Sequence, residues 1–143
     1  MESITILKGF LYGSVGAFGA AISSIYGGWD SALTTLLIFM GIDYITGLAV
    51  AGVFQKSPKT ENGALESKAG YKGLCRKGMT LLIVLVATRL DMAIGSSFIK
   101  DAVVIAYIAN ETISIVENAG LMGVPMPPAI QKGIEMLTRK GDA

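Results

Sequence analysis

The sequence predicts an all-α integral membrane protein with three to four transmembrane helices, four being favoured, that assembles into oligomers. Apolar residues make up 52% of the 143 positions and charged residues only 16%, whereas a soluble domain carries about 25% charged residues. The mean hydropathy is +0.57, and the 18 glycines are typical of membrane helices and unfavourable in soluble ones. Residues 1–143 are therefore interpreted as a single membrane domain.

The first two predicted helices lie at the start of the chain. The first covers residues 4–26 and ends at a glycine turn next to Trp29, a residue suited to the membrane interface. A cleavable signal peptide is the alternative interpretation, although glycines interrupt the apolar core that it requires. The second helix covers residues 31–54 and holds Asp43 near its middle.

The second half of the chain is predicted to form two further helices, a loop and a tail. A polar, basic loop covers residues 55–77, and the third helix covers residues 78–98. A short connection makes it an antiparallel hairpin with the fourth helix, residues 102–121, if both helices cross the bilayer. The fourth helix is polar for a membrane span, and an amphipathic helix at the membrane surface is the alternative. Residues 123–143 form an amphipathic tail that begins with a proline-rich helix stop.

The distribution of positive charge predicts the orientation. The loop between helices two and three holds six lysines and arginines and the tail holds three, whereas the connection between helices three and four holds only Lys100. Because such residues prefer the cytoplasmic side, four crossings put both termini in the cytoplasm. Three crossings would put one terminus outside.

Ionisable side chains fall within the predicted spans, namely Asp43, Arg89, Asp91 and Glu111. Each charge costs about 2.5 to 3.5 kcal/mol in hydrocarbon, so these groups must face protein, one another or water. We expect Arg89 to pair with Asp43 or Glu111, because Asp91 points in another direction on the same helix.

A polar stripe runs along the fourth predicted helix. At helical spacing it contains Tyr107, Asn110, Glu111, Ser114, Glu117 and Asn118. A chain with so few helices cannot bury such a stripe completely, so we expect it to lie between helices in an assembly or to line a pore. A surface helix with this face in solvent is the alternative.

Small residues recur along the first predicted helix. They are Gly9, Gly13, Ala17 and Ala21 at intervals of four, together with Gly16 and Ala20. Because small residues let helix backbones approach closely, this face is predicted to form a helix-packing contact within or between subunits.

Several classes of function lack the residues they need. The chain has no histidine and a single cysteine, Cys75, so we predict no metal site, no cofactor and no catalytic residues. The net charge of +1 predicts no nucleic-acid partner. The basic residues of the loop, Lys68, Lys72, Arg76 and Lys77, are explained by the predicted orientation and by attraction to anionic lipid.

Three stretches of sequence resemble the toxin-secretion/phage-lysis holin family, which includes clostridial phage holins and holin-like toxin exporters. The stretches are Asp43-Tyr44-Ile45-Thr46-Gly47; Lys68-Ala69-Gly70-Tyr71-Lys72-Gly73 with Arg76-Lys77; and Tyr107-Ile108-Ala109-Asn110-Glu111 with Ser114-Ile115, Glu117-Asn118, Gly123-Val124-Pro125 and Pro127. The resemblance covers roughly residues 33–137.

The resemblance implies a holin that forms homo-oligomers in the bacterial cytoplasmic membrane. Its large lesions would release an endolysin, causing host-cell lysis, or a large toxin, and this cargo would pass without specific contact. Two other functions remain open from the residues alone. Asp43 and Glu111 could serve a small proton-coupled transporter, whereas the basic loop and the tail could be the docking surface of an antiholin or a membrane scaffold.

Overall fold

The computed structural model describes the backbone of residues 1–142 and the side-chain surroundings of residues 1–140. In this part of the chain the ordered elements are five helices: α1 (Glu2–Ile25), α2 (Ser31–Gly52), α3 (Ser67–Ile94), α4 (Phe98–Leu121) and α5 (Pro128–Asp142). The predicted all-helical class is confirmed. The last residue of the predicted tail, Ala143, lies outside the described residues.

The helix α4 lies at the centre of the fold, where it packs against α2, α3 and α5. Leu33 and Leu36 from α2, Val84 from α3 and Val104 from α4 are fully buried at the common contact. Ile108 extends this core one turn further along α4. The three helices α2, α3 and α4 therefore form one packed unit with an apolar centre.

The helix α1 stands apart from this unit, because none of its residues is buried. Phe10 and Phe18, for example, are 74% and 70% exposed. Of the described helices, α1 and α2 are long and apolar enough to cross a membrane, judged by length and composition. A helix with so much exposed apolar surface needs lipid or protein around it, and within this chain the contact with the core is made near the end of α1, by Ile22.

The helix α3 begins eleven positions earlier than predicted, at Ser67 rather than at residue 78. The residues that break regular structure lie upstream of this point. Gly63 has a φ of +75°, and a Cβ there would overlap the carbonyl oxygen of Gln55. The basic residues that we had placed in a loop are consequently on a helix, which corrects the positions of Lys68, Lys72, Arg76 and Lys77.

Two glycines in the first turns of α3 have a packing role. A Cβ at Gly70 would lie 3.4 Å from the hydroxyl oxygen of Tyr44, and one at Gly73 would lie 3.7 Å from the ring of the same tyrosine. The tyrosine hydroxyl donates a long hydrogen bond, 3.4 Å, to the carbonyl oxygen of Gly70. These glycines therefore lie at the contact between α3 and Tyr44 of α2.

The connection between α3 and α4 is also displaced from its predicted position. The helix α3 ends at Gly95, whose φ of +72° gives a left-handed C-cap, and α4 begins at Phe98. Lys100 and Asp101, predicted to form the connection, belong to the first turn of α4.

The amphipathic tail is folded back onto the bundle as α5. After the proline-rich link, α5 packs against α4, and Leu137 reaches the apolar core. Ile134 is half-buried, whereas Ile130 and Met136 are exposed. One face of the predicted amphipathic helix is therefore used within the chain.

Candidate functional site

A buried charge cluster joins the three packed helices. The Nζ atom of Lys77 lies 2.8 Å from Oδ2 of Asp43 and 2.8 Å from Oε2 of Glu111. The exposed fractions of the three side chains are 17%, 9% and 8% respectively. One lysine from α3 thus bridges a carboxylate of α2 and a carboxylate of α4.

The cluster lies in the middle of the helices and not at their ends. Asp43 is about 18 Å along α2 from Ser31, and Glu111 is about 15 Å from the last residue of α4, at 1.5 Å per residue. Lys77 is about 15 Å from the first residue of α3. The charges are therefore at least ten residues from these helix ends.

Helical spacing explains why Lys77 points inward. The buried residues of α3 include Val84, Thr88 and Asp91, which follow Lys77 by seven, eleven and fourteen positions. With 3.6 residues per turn these positions share one face. This spacing was present in the sequence, but the late predicted start of the helix hid it.

An amide from α4 completes the hydrogen bonding of the cluster. The Nδ2 atom of Asn118 donates to Oδ1 of Asp43 at 3.0 Å and to Oγ1 of Thr46 at 2.9 Å. Both oxygens of the Asp43 carboxylate are consequently occupied, one by Lys77 and one by Asn118. Among the described residues, no buried side-chain nitrogen or oxygen atom lacks a partner, so the network is satisfied.

The charges of the cluster do not cancel, because two carboxylates share one ammonium group. Buried ion pairs carry a large desolvation penalty that only good geometry and further hydrogen bonds offset. Removal of Lys77 would leave two facing carboxylates without a cation. Of the three charged residues, the lysine is therefore the one on which the other two depend.

A cavity of about 400 Å³, lined by both polar and apolar side chains, opens beside the cluster. Most of the stripe predicted on the fourth helix lines it, namely Asn110, Glu111, Ser114, Glu117 and Asn118. Its other walls include residues of α2, α3 and the loop from Ser57 to Thr60. Polar side chains of α4 therefore face a hollow between helices of a single chain.

The members of the stripe differ in their surroundings. Glu111 and Asn118 bond to residues of α2 and α3, whereas Asn110 and Glu117 remain exposed. Tyr107 lies away from the cavity and packs against the apolar core. Some side chains of the stripe thus form contacts with other helices of the chain, and others remain exposed.

The prediction that Arg89 pairs with Asp43 or Glu111 is wrong. Arg89 is exposed on α3, and its guanidinium contacts the sulfur atom of Met92 at 3.3 Å. Lys77 takes the place that we expected Arg89 to fill. Arg89 lies only five residues from the end of α3, where a long side chain reaches the polar boundary of a membrane.

Asp91 is buried near the end of α3, beside the turn between α3 and α4. Its carboxylate accepts hydrogen bonds from the backbone N–H groups of Ile99 and Lys100 and from the hydroxyl of Ser96. The N-cap residue of α4, Ser97, makes no side-chain cap. Asp91 therefore accepts hydrogen bonds from backbone N–H groups in the first turn of α4, although it belongs to α3. An anion at a helix N-terminus is stabilised in the same way.

The turns at this end of the bundle are linked by Lys100. Its Nζ atom lies 3.2 Å from Oδ2 of Asp30 and donates to the carbonyl oxygen of Tyr26 at 3.1 Å. Burial alone would raise the pKa of Asp30, but the backbone N–H of Leu33 and the Lys100 ammonium lower this pKa below its ordinary value. The turn between α1 and α2 is thereby attached to the turn between α3 and α4.

The small residues of α1 make no packing contact within the chain. A Cβ at Gly9, Gly13 or Gly16 would meet no atom within 4 Å, and Ala17, Ala20 and Ala21 are exposed. The contact predicted for this face is therefore absent inside the described part of one chain, and a contact between chains stays a prediction.

An all-helical chain with apolar helices around a buried charge cluster is typical of a small membrane protein. The model of the bacteriophage holin family matches residues 20–139, and the chain belongs to this family. The predicted resemblance is thereby confirmed, and the family is consistent with the prediction that the chain is not an enzyme. In the described residues no group of histidine, cysteine, aspartate or glutamate could hold a metal ion.

The relatives of this chain include one phage protein that is named a probable holin. A probable holin of Bacillus phage phi105 is 29% identical over 142 residues, covering 99% of this chain and 88% of that protein. An uncharacterised Halalkalibacterium halodurans protein is 37% identical, covering 95% and 98%. An uncharacterised 14.9 kDa protein from the nagH 3′ region of Clostridium perfringens is 35% identical, covering 87% and 89%. No solved structure matches the chain.

Proposed function

We propose that this protein is a holin that crosses the bacterial cytoplasmic membrane four times and assembles into lesions large enough to release an endolysin. The helices α1 to α4 would be the spans, with both termini and the 53–66 loop in the cytoplasm. The link made by Lys100 supports this topology, because it joins the two turns that would lie together on the outer side.

The observation that carries the proposal is the Lys77 cluster. Asp43, Lys77 and Glu111 would together cost on the order of 10 kcal/mol if each faced lipid. The ion pairs of Lys77 with Asp43 and Glu111 instead turn the central charges of α2, α3 and α4 toward one another. A protomer with this cluster closed can stay inserted in the bilayer without opening it.

Assembly would follow from the surfaces that the protomer leaves free. The helix α1 has apolar side chains and small residues exposed on all sides, so copies can pack through it. As copies accumulate, the carboxylates would exchange Lys77 for water, and the polar face of α4 would turn toward a lumen. A charge that moves across the membrane feels about 2.3 kcal/mol per 100 mV, so loss of the membrane potential would favour the change.

The test is expression in a bacterium together with a cytoplasmic endolysin and a cytoplasmic reporter enzyme. We expect growth to continue normally, then to stop sharply with release of the reporter, and an uncoupler to advance the event. Expression without the endolysin should stop respiration but leave the cell wall intact. Continued growth at a high membrane level of the protein would overturn the proposal and favour an antiholin.

The topology is tested separately by cysteine labelling. Because Cys75 is the only cysteine, replacing it with alanine gives a background for single cysteines at Gly28, Ser57, Ser96 and Lys132. Four crossings predict that an impermeant reagent applied to intact cells labels positions 28 and 96 and spares positions 57 and 132. Labelling at position 132 together with protection at position 57 would indicate three crossings.

A second candidate function, a proton-coupled transporter, is favoured by the cavity of about 400 Å³ that holds the two buried carboxylates. Release of a folded reporter enzyme separates the two functions, since a transporter passes only small substrates. Substrate-dependent proton uptake by sealed liposomes, with no leakage of an enclosed protein, would favour the transporter.

A further inference from the structure

A second cleft lies between the loop after α2 and the first turns of α3, and it adjoins the cavity beside the buried cluster, with which it shares Lys59, Glu66 and Arg76. Its volume is about 460 Å³, and its walls carry Lys59, Lys68, Lys72 and Arg76 together with Glu61 and Glu66. Four cations and two carboxylates leave a positive excess around one concave surface. Such a surface attracts an anion.

The cations of this cleft are not neutralised within the described residues. None of the four lies within 4.0 Å of a carboxylate oxygen, although Glu61 and Glu66 are on the same walls. Lys77, by contrast, lies about 140° to 180° around α3 from Lys72 and Lys68 and is engaged with its two carboxylates. In the described part of the chain, the helix α3 therefore carries one lysine that is paired with carboxylates, Lys77, and three exposed cations that are not, namely Lys68, Lys72 and Arg76.

The outer face of α3 changes character along its length. Lys72, Met79 and Val86 follow one another at intervals of seven, which places them on one face, and Leu90 lies one turn beyond. Met79, Val86 and Leu90 are 54%, 53% and 48% exposed. A basic end is thus continued by an exposed apolar strip, beginning about 10 Å further along the helix.

We propose that this cleft binds the phosphate headgroup of an anionic phospholipid, whose acyl chains lie along the apolar strip of α3. Phosphate followed by hydrocarbon is the order in which a phospholipid presents its groups, and it matches the order of cations and apolar side chains here. A free phosphate would use only the cleft. The inference rests on the proposed insertion of α3 with its first turns at the cytoplasmic surface.

The experiment measures lipid retained by the purified full-length protein in detergent, using native mass spectrometry. The lipids are phosphatidylglycerol and phosphatidylcholine with identical acyl chains, and glycerol 3-phosphate is the soluble competitor. The test variant is K68Q/K72Q/R76Q. The control variant, K132Q/R139Q/K140Q, removes the same charge from α5.

We expect the wild type and the control to retain phosphatidylglycerol in preference to phosphatidylcholine. The test variant should retain on the order of tenfold less phosphatidylglycerol, and glycerol 3-phosphate should not displace the lipid. Equal retention by test variant and wild type, or equal losses in both variants, would overturn the proposed site. Displacement by glycerol 3-phosphate would show that the cleft binds a free phosphate and would also overturn it.

Retention is measured without lysis, so a negative result leaves the proposed holin function intact. Failure of the lysis experiment with lipid retention preserved would instead overturn the holin proposal alone.

Discussion

Lys77 donates a 2.8 Å hydrogen bond to the carboxylate of Asp43, 34 positions away in the sequence, inside the packed unit of α2, α3 and α4. The same ammonium group reaches Glu111 at 2.8 Å. The packing of α2 against α4 brings the two carboxylates together, and this lysine supplies the cation between them.

The first prediction concerns Lys77→Met. Removing one partner of a buried ion pair destabilises a fold by about 3 to 5 kcal/mol, because the remaining charge is left uncompensated. We expect the variant to lyse cells earlier than the wild type at a matched membrane level. The measurement is culture density over time, with membrane protein quantified by immunoblot.

Two further variants make this result specific. Arg89→Met removes the same charge from an exposed position of α3 and should keep the wild-type lysis time. The triple variant D43N/K77M/E111Q removes the charges on all three partners and should accumulate and lyse later than Lys77→Met. If Lys77→Met and Arg89→Met lyse together, the cluster does not hold the closed state.

The second prediction concerns Asn118→Leu. This change leaves one oxygen of the Asp43 carboxylate and the hydroxyl of Thr46 without their amide donor, and an unsatisfied buried group costs about 1 to 3 kcal/mol. We expect a lower midpoint of thermal unfolding in detergent, followed by circular dichroism. Asn110→Leu, at an exposed position of the same helix, is the matched control and should change the midpoint little.

The third prediction concerns the small face of α1. Gly13→Leu adds a large side chain where the structure leaves open space, so the single chain should fold unchanged. A contact between copies through this face would lose its close approach, and we expect fewer cross-linked oligomers in membranes. Val15→Leu, about 200° away around the helix and 63% exposed, should leave the cross-linking pattern intact. An unchanged pattern in both variants would exclude this face as a contact.

The fourth prediction concerns acid. The pKa of Asp30 is lowered in the folded protein by Leu33 and Lys100 against the effect of burial. A carboxylate with a lowered pKa adds stability above its unfolded pKa of about 3.9, and this stability is lost as the pH falls through the lower folded pKa. We expect the difference in unfolding midpoint between wild type and Asp30→Asn to be present at pH 6 and to shrink below about pH 4.

The control for this prediction is Asp101→Asn, at an exposed position in the first turn of α4. It should leave the pH dependence of unfolding close to that of the wild type. A pH-independent difference between wild type and Asp30→Asn would mean that the carboxylate charge is not responsible.

Local sequence patterns predicted which segments are helical more accurately than they predicted where each helix begins and ends. The apolar runs predicted α1 and α2 to within a few residues. The polar spacing on the fourth helix identified side chains that line a cavity within one chain, whereas their place in an assembly or a pore stays a prediction. The start of α3 was missed because its first three turns are basic and contain glycine. Gly70 and Gly73 lie next to Tyr44 of another helix, a contact that no local pattern in α3 could indicate.

The sequence by itself determined the helical class, the family and the presence of charges within apolar segments, because composition, periodicity and motifs are local properties of the chain. The tertiary structure alone decided that Lys77 rather than Arg89 bridges the carboxylates, and that Asp91 serves the turn before α4. Ion pairing depends on which helix faces meet and on which residues lie at the same level along the helix axes. Those relations are set by the packing of α2, α3 and α4 together, and not by any one segment.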